Sequence, residues 1–213
     1  MEEFINLLPS LLGGCKVTLS LFALTLIISI PLSLILSGIR SLKLKPVNMI
    51  LSIYIYIERG TPLLLQLMLI FFGLPKIGIT FDRYPAALLA FLLNYTAYFT
   101  EIFRGGINSI DEGQFEASKV LGLSNIHTFN RIIFPQAIKN TIPSIGNEVL
   151  ALIKDTSLVS IISLEELLRV GNQAAARMSS ILPFIYVGVI YLVLTFFITQ
   201  MLNFIEKKFN YYK

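Results

Sequence analysis

Apolar residues in this chain gather into long runs, and the segments between the runs hold most of the charges. A helix needs about 20 apolar residues to cross the hydrocarbon core of a bilayer. Runs of this kind predict five transmembrane helices, at about 17–37, 47–74, 85–103, 142–162 and 181–205. We therefore expect an all-α membrane protein that forms a single transmembrane domain over residues 1–213.

The second run is irregular, because Glu58-Arg59-Gly60-Thr61-Pro62 interrupts it. Glycine and proline can break a helix and leave backbone carbonyls free to line a cavity. An alternative with six spans would divide this run into two passes. Each pass would contain only about a dozen apolar residues, which is too few to cross a bilayer, so five spans are favoured.

The composition excludes an ordinary soluble domain. The chain is 55% hydrophobic and 14% charged, with a mean hydropathy of +0.75, whereas globular domains are about a quarter charged. One cysteine, Cys15, and one histidine, His127, exclude an intrachain disulfide and a cluster of soft metal ligands. The expected surroundings are a lipid bilayer, and nothing in the composition points to a nucleic-acid partner.

The distribution of Lys and Arg predicts the orientation, because cytoplasmic loops of membrane proteins are enriched in these residues. An odd number of spans puts the termini on opposite sides, and an outside N-terminus places the larger share of positive charge inside. The inside residues would be Arg40, Lys43, Lys45, Arg104, Lys119, Arg131, Lys139, Lys207, Lys208 and Lys213, against Lys76, Arg83, Arg169 and Arg177 outside. We thus expect a multi-pass protein of the plasma membrane with its C-terminus in the cytoplasm.

The loop between spans 3 and 4 is predicted to form a two-helix elbow over about 111–135. Asp111 can cap a helix from Glu112 to Leu121, and Gly122 can supply its left-handed C-terminal turn. Ser124 can cap a second short helix, which we expect to end before Pro135. The elbow contains more apolar residues than a solvated loop, so part of it should face the bundle or a partner. An amphipathic hairpin lying on the inner leaflet is the alternative.

The elbow also carries a spaced motif: Glu116-Ala117-Ser118, three residues, Gly122, nine residues, then Ile132-Ile133-Phe134-Pro135. This pattern resembles the EAA loop of permease subunits of bacterial ATP-binding cassette importers. Ser118 replaces the second Ala of that motif, and Phe134 replaces its Leu. The resemblance implies that the loop docks on an ATP-hydrolysing subunit, through Glu116, Ala117, Ser118, Gly122 and Leu123.

Three further segments resemble the polar amino acid permeases. They are Arg59-Gly60-Thr61-Pro62-Leu63-Leu64-Leu65-Gln66, Asn94-Tyr95-Thr96-Ala97-Tyr98 with Glu101 and Arg104, and Lys154-Asp155-Thr156-Ser157-Leu158. The implied partners are a second permease copy or close relative, two ATP-hydrolysing subunits and an extracytoplasmic substrate-binding protein. The chain has no G-x-x-x-x-G-K-[ST] loop. We therefore expect a transport subunit, not an enzyme, that binds no cofactor itself and leaves ATP and Mg to its partner.

Ionisable groups inside a membrane are costly and often functional. The candidates for a substrate pathway are Glu58, Arg59, Gln66, Asn147, Glu148 and Asp155. Glu58 with Arg59 could instead be a self-satisfied ion pair at a kink, and Lys154 with Asp155 is more simply a structural ion pair. Glu101 and Arg104 suit an ordinary i,i+3 pair, and Tyr95 and Tyr98 suit packing.

Glu148 differs from the other candidates, because no cation lies within a helical turn of it in the sequence. Such a carboxylate suits a cationic ligand group, which favours import of basic amino acids such as arginine, lysine and histidine. A glutamine or other polar amino acid importer is the alternative. A further alternative is an ion-coupled secondary transporter that uses the intramembrane carboxylates as a relay.

Overall fold

The computed structural model describes residues 2–41 and 44–209, with side chains from Ile5 onward. Every regular element among these residues is helical, so the predicted all-α class is confirmed. The elements are α1 (Glu2–Ser41), α2 (Lys45–Gly60), α3 (Leu63–Met68), α4 (Arg83–Asn108), α5 (Glu112–Val120), α6 (Asn125–Thr128), α7 (Phe134–Asp155), α8 (Leu167–Met178) and α9 (Leu182–Phe209). Of the cations used to predict the orientation, Lys43 and Lys213 lie outside the described residues.

Three helical stretches are long and apolar enough to cross a membrane: Ile5–Ser41, Arg83–Asn108 and Leu182–Phe209. They correspond to the first, third and fifth predicted spans. α4 is the central one, because 61% of its apolar window is buried, against 22% for α1 and 11% for α9. The exposed faces of α1 and α9 are apolar, which is what lipid or a second membrane chain requires.

The second predicted span is not a straight helix. α2 ends at Gly60, and the chain restarts in Leu63–Ile77 at an angle of 103°. Thr61 and Pro62 between them are extended, because a proline excludes the helical conformation from the residue before it. The interruption noted in the sequence is therefore a sharp break, and by length and composition it is a broken span or a re-entrant loop.

The fourth predicted span, 142–162, is part of a longer helical path. α7 begins at Phe134, and a 3-10 helix, Thr156–Ile162, continues it. The prediction that the second elbow helix ends before Pro135 is wrong. A π turn, Phe129–Ile133, joins α6 to α7, and Pro135 lies in the first turn of α7, where its missing N–H costs nothing.

Among the described residues, the two larger of three hydrophobic clusters organise the packing of the long helices. The main one surrounds α4 and includes the fully buried Phe91, Phe99, Leu152 and Ile153. A smaller one joins the N-terminal part of α1 to α8 and α9. α1 has 40 residues, so it is about 60 Å long, roughly twice the hydrocarbon thickness. Its extra length is what packs against α8.

Candidate functional site

The break between α2 and α3 is closed by two buried amides. The Gln66 side chain donates from Nε2 to the Glu58 carbonyl at 2.9 Å and to the Thr61 hydroxyl at 2.8 Å. The Asn94 side chain on α4 donates to the same Glu58 carbonyl and to Gln66 Oε1, both at 3.0 Å. Gln66 was predicted in the substrate pathway, but the structure uses its amide to satisfy the backbone that the break leaves open.

Glu101 on α4 is paired with three arginines. Arg104, one turn away, donates two hydrogen bonds to Glu101 Oε2, at 2.8 and 3.0 Å, so the predicted i,i+3 pair is present. Arg40, in the last turn of α1, also binds this carboxylate, and a nitrogen of Arg59 lies 3.9 Å from it. The cluster therefore ties α1, α2 and α4 together and has two more positive charges than negative ones.

Arg59 also contributes to the electrostatics around Glu148. Its guanidinium lies 5.2 Å from the centre of the Tyr98 ring, and its side chain is 44% exposed. Arg59 acts on the half-buried Glu148 carboxylate electrostatically. The alternative of an ion pair between Glu58 and Arg59 is not what the structure shows, since Arg59 turns toward Glu101. Although no cation lies close to Glu148 in the sequence, Arg59 of another helix acts on it in the fold.

Asp155 has a different partner from the one predicted. Its carboxylate accepts a hydrogen bond of 2.7 Å from the Tyr95 hydroxyl, whereas Lys154 is exposed. Adjacent residues on a helix point about 100° apart, which explains why Asp155 faces α4 while its neighbour does not. Tyr95 is buried between Phe91 and Phe99, so it both packs and holds the carboxylate.

The six pathway candidates thus fall into two groups. Glu148 on α7 lies within electrostatic range of Arg59 on α2 and of Asp155 at the end of its own helix, and Tyr95 and Tyr98 of α4 contact Asp155 and Arg59. Glu58 and Gln66 meet at the helix break. Within the part of the chain that the structure describes, one Glu58 carboxylate oxygen is buried without a hydrogen-bond partner. Asn147 is exposed on α7.

At Gly122 the elbow has the left-handed turn that the sequence predicts. This residue has a φ of +71°, and the amides of Gly122 and Leu123 donate to the carbonyls of Lys119 and Ser118. These two bonds form a Schellman turn, which ends α5. Ser124 then caps α6 by accepting from the amide of His127 at 3.3 Å.

The elbow presents one apolar face to the bundle and another outward. Ile133 is buried, with Phe129 and Ile132 packed beside it. Val120, Leu121 and Ile126 are exposed by 88%, 74% and 76%. Among the predicted docking residues, Glu116, Ala117 and Gly122 are exposed and Leu123 is half-buried. Ser118 is buried, and its hydroxyl donates to the Gln114 carbonyl, so its side chain supports α5 from within.

Comparison with known proteins identifies the family. A family model described as the binding-protein-dependent transport system inner membrane component matches residues 29–211. The chain belongs to this family. The permease is 38% identical over 206 residues to the L-cystine transport system permease protein TcyB of Bacillus subtilis, with 96% of this chain and 88% of that protein aligned. It is also 38% identical over 203 residues to the arginine transport system permease protein ArtQ of the same organism, with coverages of 94% and 93%.

Solved structures agree with this assignment. An amino acid ABC transporter solved with histidines contains a chain that is 33% identical to the permease, with a TM-score of 0.91 and 96% of both chains covered. The MetNI methionine ABC transporter is 17% identical with a TM-score of 0.74 and covers 99% of both chains, so it shares the fold. The permease is therefore a membrane subunit of an amino-acid ATP-binding cassette importer, and ATP hydrolysis takes place in a separate subunit.

Sequence reasoning missed the roles that three residues have in organising the site. They are Arg40, Asn94 and Tyr95, the last through its hydrogen bond. Arg40 is 61 positions from Glu101, and no local spacing connects them. Asn94 could have been suspected, because an amide inside an apolar run must find a partner within the protein. The sequence contains that signal, but it does not name the partner.

Replacing Asn94 with leucine should lower the stability of the permease by about 1–3 kcal/mol, because it leaves the half-buried Glu58 carbonyl and the buried Gln66 amide with one donor fewer each. Thermal unfolding in detergent would measure the effect. The matched control is Asn147→Leu, the same change at an exposed position, which should have little effect. Equal stability of the two variants would show that the Asn94 amide does not support the break.

Proposed function

We propose that this permease imports basic amino acids into the bacterial cytoplasm as part of an assembly. The assembly contains two permease chains, identical or closely related, two ATP-hydrolysing subunits and an extracytoplasmic substrate-binding protein. The five spans of its single domain, 1–213, would be α1, the broken pair α2–α3, α4, α7 and α9. ATP-driven movement of the partner subunits would then switch the spans between outward and inward access.

The proposed orientation has the N-terminus outside and the C-terminus in the cytoplasm. It is supported by the excess of Lys and Arg on the side that holds the elbow. α9 ends with Lys207 and Lys208 on that same side. The elbow then faces the compartment where ATP is hydrolysed.

The proposed docking surface is the outward face of the elbow. Val120, Leu121 and Ile126 form an exposed apolar surface, and exposed apolar groups of this kind favour burial against a protein partner. Glu116, Ala117, Gly122 and Leu123 border it, and Ser118 supports it from behind. The Schellman turn at Gly122 holds α5 and α6 at a defined angle, which transmission of movement requires.

The single observation that carries the substrate proposal is the half-buried Glu148 carboxylate across from the half-exposed Arg59. A basic amino acid has one group for each: Arg59 would bind the α-carboxylate, and Glu148 would bind the side-chain cation. Asp155, Asn147 and the unpartnered Glu58 oxygen supply further acceptors around the pathway. A relative named for arginine transport, and a solved transporter described with histidines, support the basic class.

Glu148→Gln should reduce arginine uptake by about tenfold or more, since a charge-assisted contact contributes about 1.5–3 kcal/mol. Uptake of glutamine should change little, because it has no cationic side chain. The measurement is ATP-dependent uptake of both amino acids by the assembled importer in proteoliposomes. Glu206→Gln, an exposed position near the end of α9, is the matched control.

Undiminished arginine uptake by the Glu148→Gln importer would remove the basic assignment in favour of a glutamine or cystine importer. Uptake that persists without ATP and stops when ion gradients are dissipated would instead favour the ion-coupled alternative. Arg59→Gln should lower uptake of both amino acids, because each carries the carboxylate that Arg59 would bind.

A further inference from the structure

Glu166 is a fully buried carboxylate outside the predicted spans, in the segment between the 3-10 helix and α8. Its exposed fraction is 0%. The carboxylate caps α8 by accepting from the backbone amides of Leu168 at 2.7 Å and Arg169 at 2.6 Å. The Tyr191 hydroxyl on α9 lies 3.3 Å from Glu166 Oε2. Glu166 thus connects the N-terminus of α8 to α9.

The same point is also joined to α1. The Leu167 amide donates to the Thr18 hydroxyl at 3.2 Å. A Cβ added at Gly14 would lie only 3.0 Å from the backbone of Glu166 and Leu167, so α1 touches this backbone directly. Three helices therefore meet around one carboxylate.

Both ends of the α8 segment, residues 163–179, have an unusual backbone. Ser163 has a φ of +59° and Ser179 a φ of +45°, and they are the positive-φ residues other than glycine in the described chain. Left-handed conformations at such residues cost about 1–2 kcal/mol each and recur at hinges and switches. The α8 segment is therefore held in place between two strained turns.

The surroundings of Glu166 balance two opposite effects. Burial raises the pKa of the Glu166 carboxyl to about 7, while the two amides and the Tyr191 hydroxyl favour the ionised form. The charged and titratable groups nearby are Tyr191 on α9, and Glu165 and Arg169 beside Glu166. α1 and the 3-10 helix contribute the hydroxyls of Thr18 and Thr156 near Tyr191, and Lys16 on α1 is exposed.

We propose that Glu166 is a positioning residue that latches the α8 segment onto α1 and α9, and that the latch opens when the carboxylate becomes hydrated during transport. The inference rests on the proposed transport function, since the α8 segment would form part of the outer closure of the pathway. Opening of the latch breaks the hydrogen bond between Tyr191 and Glu166 and the contact of Thr18 with the Leu167 amide. The backbone strain at the two serines favours this opening.

Linkage determines the direction of the pH effect. The closed state has a raised pKa, and an open state with a hydrated carboxylate has the ordinary value near 4.5. Protonation therefore favours the closed state. The ratio of open to closed states should rise by about tenfold or more between pH 5 and pH 7 and then level off.

The test measures the distance between α1 and α8 in the assembled importer by pulsed electron paramagnetic resonance. Spin labels would be placed with Leu12→Cys and Ala176→Cys, both exposed positions, in a Cys15→Ser background. A longer-distance population should increase from pH 5 to pH 7. Glu166→Gln should abolish this pH dependence, whereas Glu165→Gln, the exposed neighbouring carboxylate, should retain it.

Tyr191→Phe separates the latch from the helix cap, because it removes the bond to α9 and leaves both amide bonds intact. Loss of a donor to the ionised form should move the levelling-off to higher pH. The Tyr191→Phe variant can be measured even if the Glu166→Gln variant does not assemble. A distance that is independent of pH, or unchanged pH behaviour in Tyr191→Phe, would refute the latch. ATP-driven uptake by the same wild-type sample would show that the transport function stands nevertheless.

Discussion

Replacing Gly122 with valine is expected to weaken binding of the ATP-hydrolysing subunit strongly and to lower ATP-dependent uptake with it. Gly122 has a φ of +71°, and a side chain in this region costs about 1–2 kcal/mol, more for a β-branched residue. The Schellman turn would open, and the outward face of the elbow would lose its shape. Co-purification of the two subunits and uptake in proteoliposomes would measure the loss, which should reach about tenfold or more.

Two controls separate the backbone effect from a clash. Among the described residues, and apart from the chain neighbours, no atom lies within 4 Å of a Cβ added at Gly122. Backbone strain, and not a steric clash, is therefore the expected cause of the effect. Gly122→Asn should therefore keep much of the binding, because asparagine tolerates the left-handed region. Normal binding by the Gly122→Val variant would show that the turn is not needed for docking.

The docking face itself is tested by Leu121→Asp. Leu121 is 74% exposed, and Ile77, on the opposite side of the predicted bilayer, is 72% exposed. A charge at either position should leave the fold intact. Only the change at Leu121 should weaken co-purification of the ATP-hydrolysing subunit, and equal effects of the two changes would contradict the proposed surface.

Glu101→Gln is expected to destabilise the permease by about 1.5–3 kcal/mol, because this partly buried carboxylate loses its charge-assisted hydrogen bonds. The Glu101 side chain is 14% exposed, and three arginines from α1, α2 and α4 share it. Without the carboxylate these positive charges would repel one another. The yield of folded protein and thermal unfolding in detergent would measure the effect.

Arg104→Gln is the matched control for this cluster. Arg104 is 42% exposed, so the loss of its ion pair should cost only about 1 kcal/mol or less, and Glu101 would keep Arg40. The double variant Arg40→Gln with Glu101→Gln should be more stable than Glu101→Gln alone, because it removes one uncompensated charge. If Glu101→Gln unfolds like the wild-type protein, the cluster does not hold the three helices together.

Several features of the site were predictable from short stretches of the chain. The positive φ of Gly122, the cap at Ser124 and the Glu101–Arg104 pair each depend on residues within one or two helical turns. The interruption at Gly60-Thr61-Pro62 was also visible, although its angle of 103° was not. The end of the second elbow helix before Pro135 was wrongly predicted, because a π turn lets the helix pass into α7.

The sequence by itself determined the class of the protein: apolar runs of spanning length, a basic side, an elbow with a glycine turn, and the motifs that the family shares. These features follow from local backbone preferences and from the cost of placing polar groups in lipid, which are read from contiguous residues. Only the tertiary structure decided which polar groups meet. The triple pairing of Glu101, the amides that close the break, the facing of Arg59 and Glu148, and the burial of Glu166 join residues tens of positions apart. Their contacts depend on how each helix is rotated and tilted against its neighbours, and that orientation results from packing over the whole bundle.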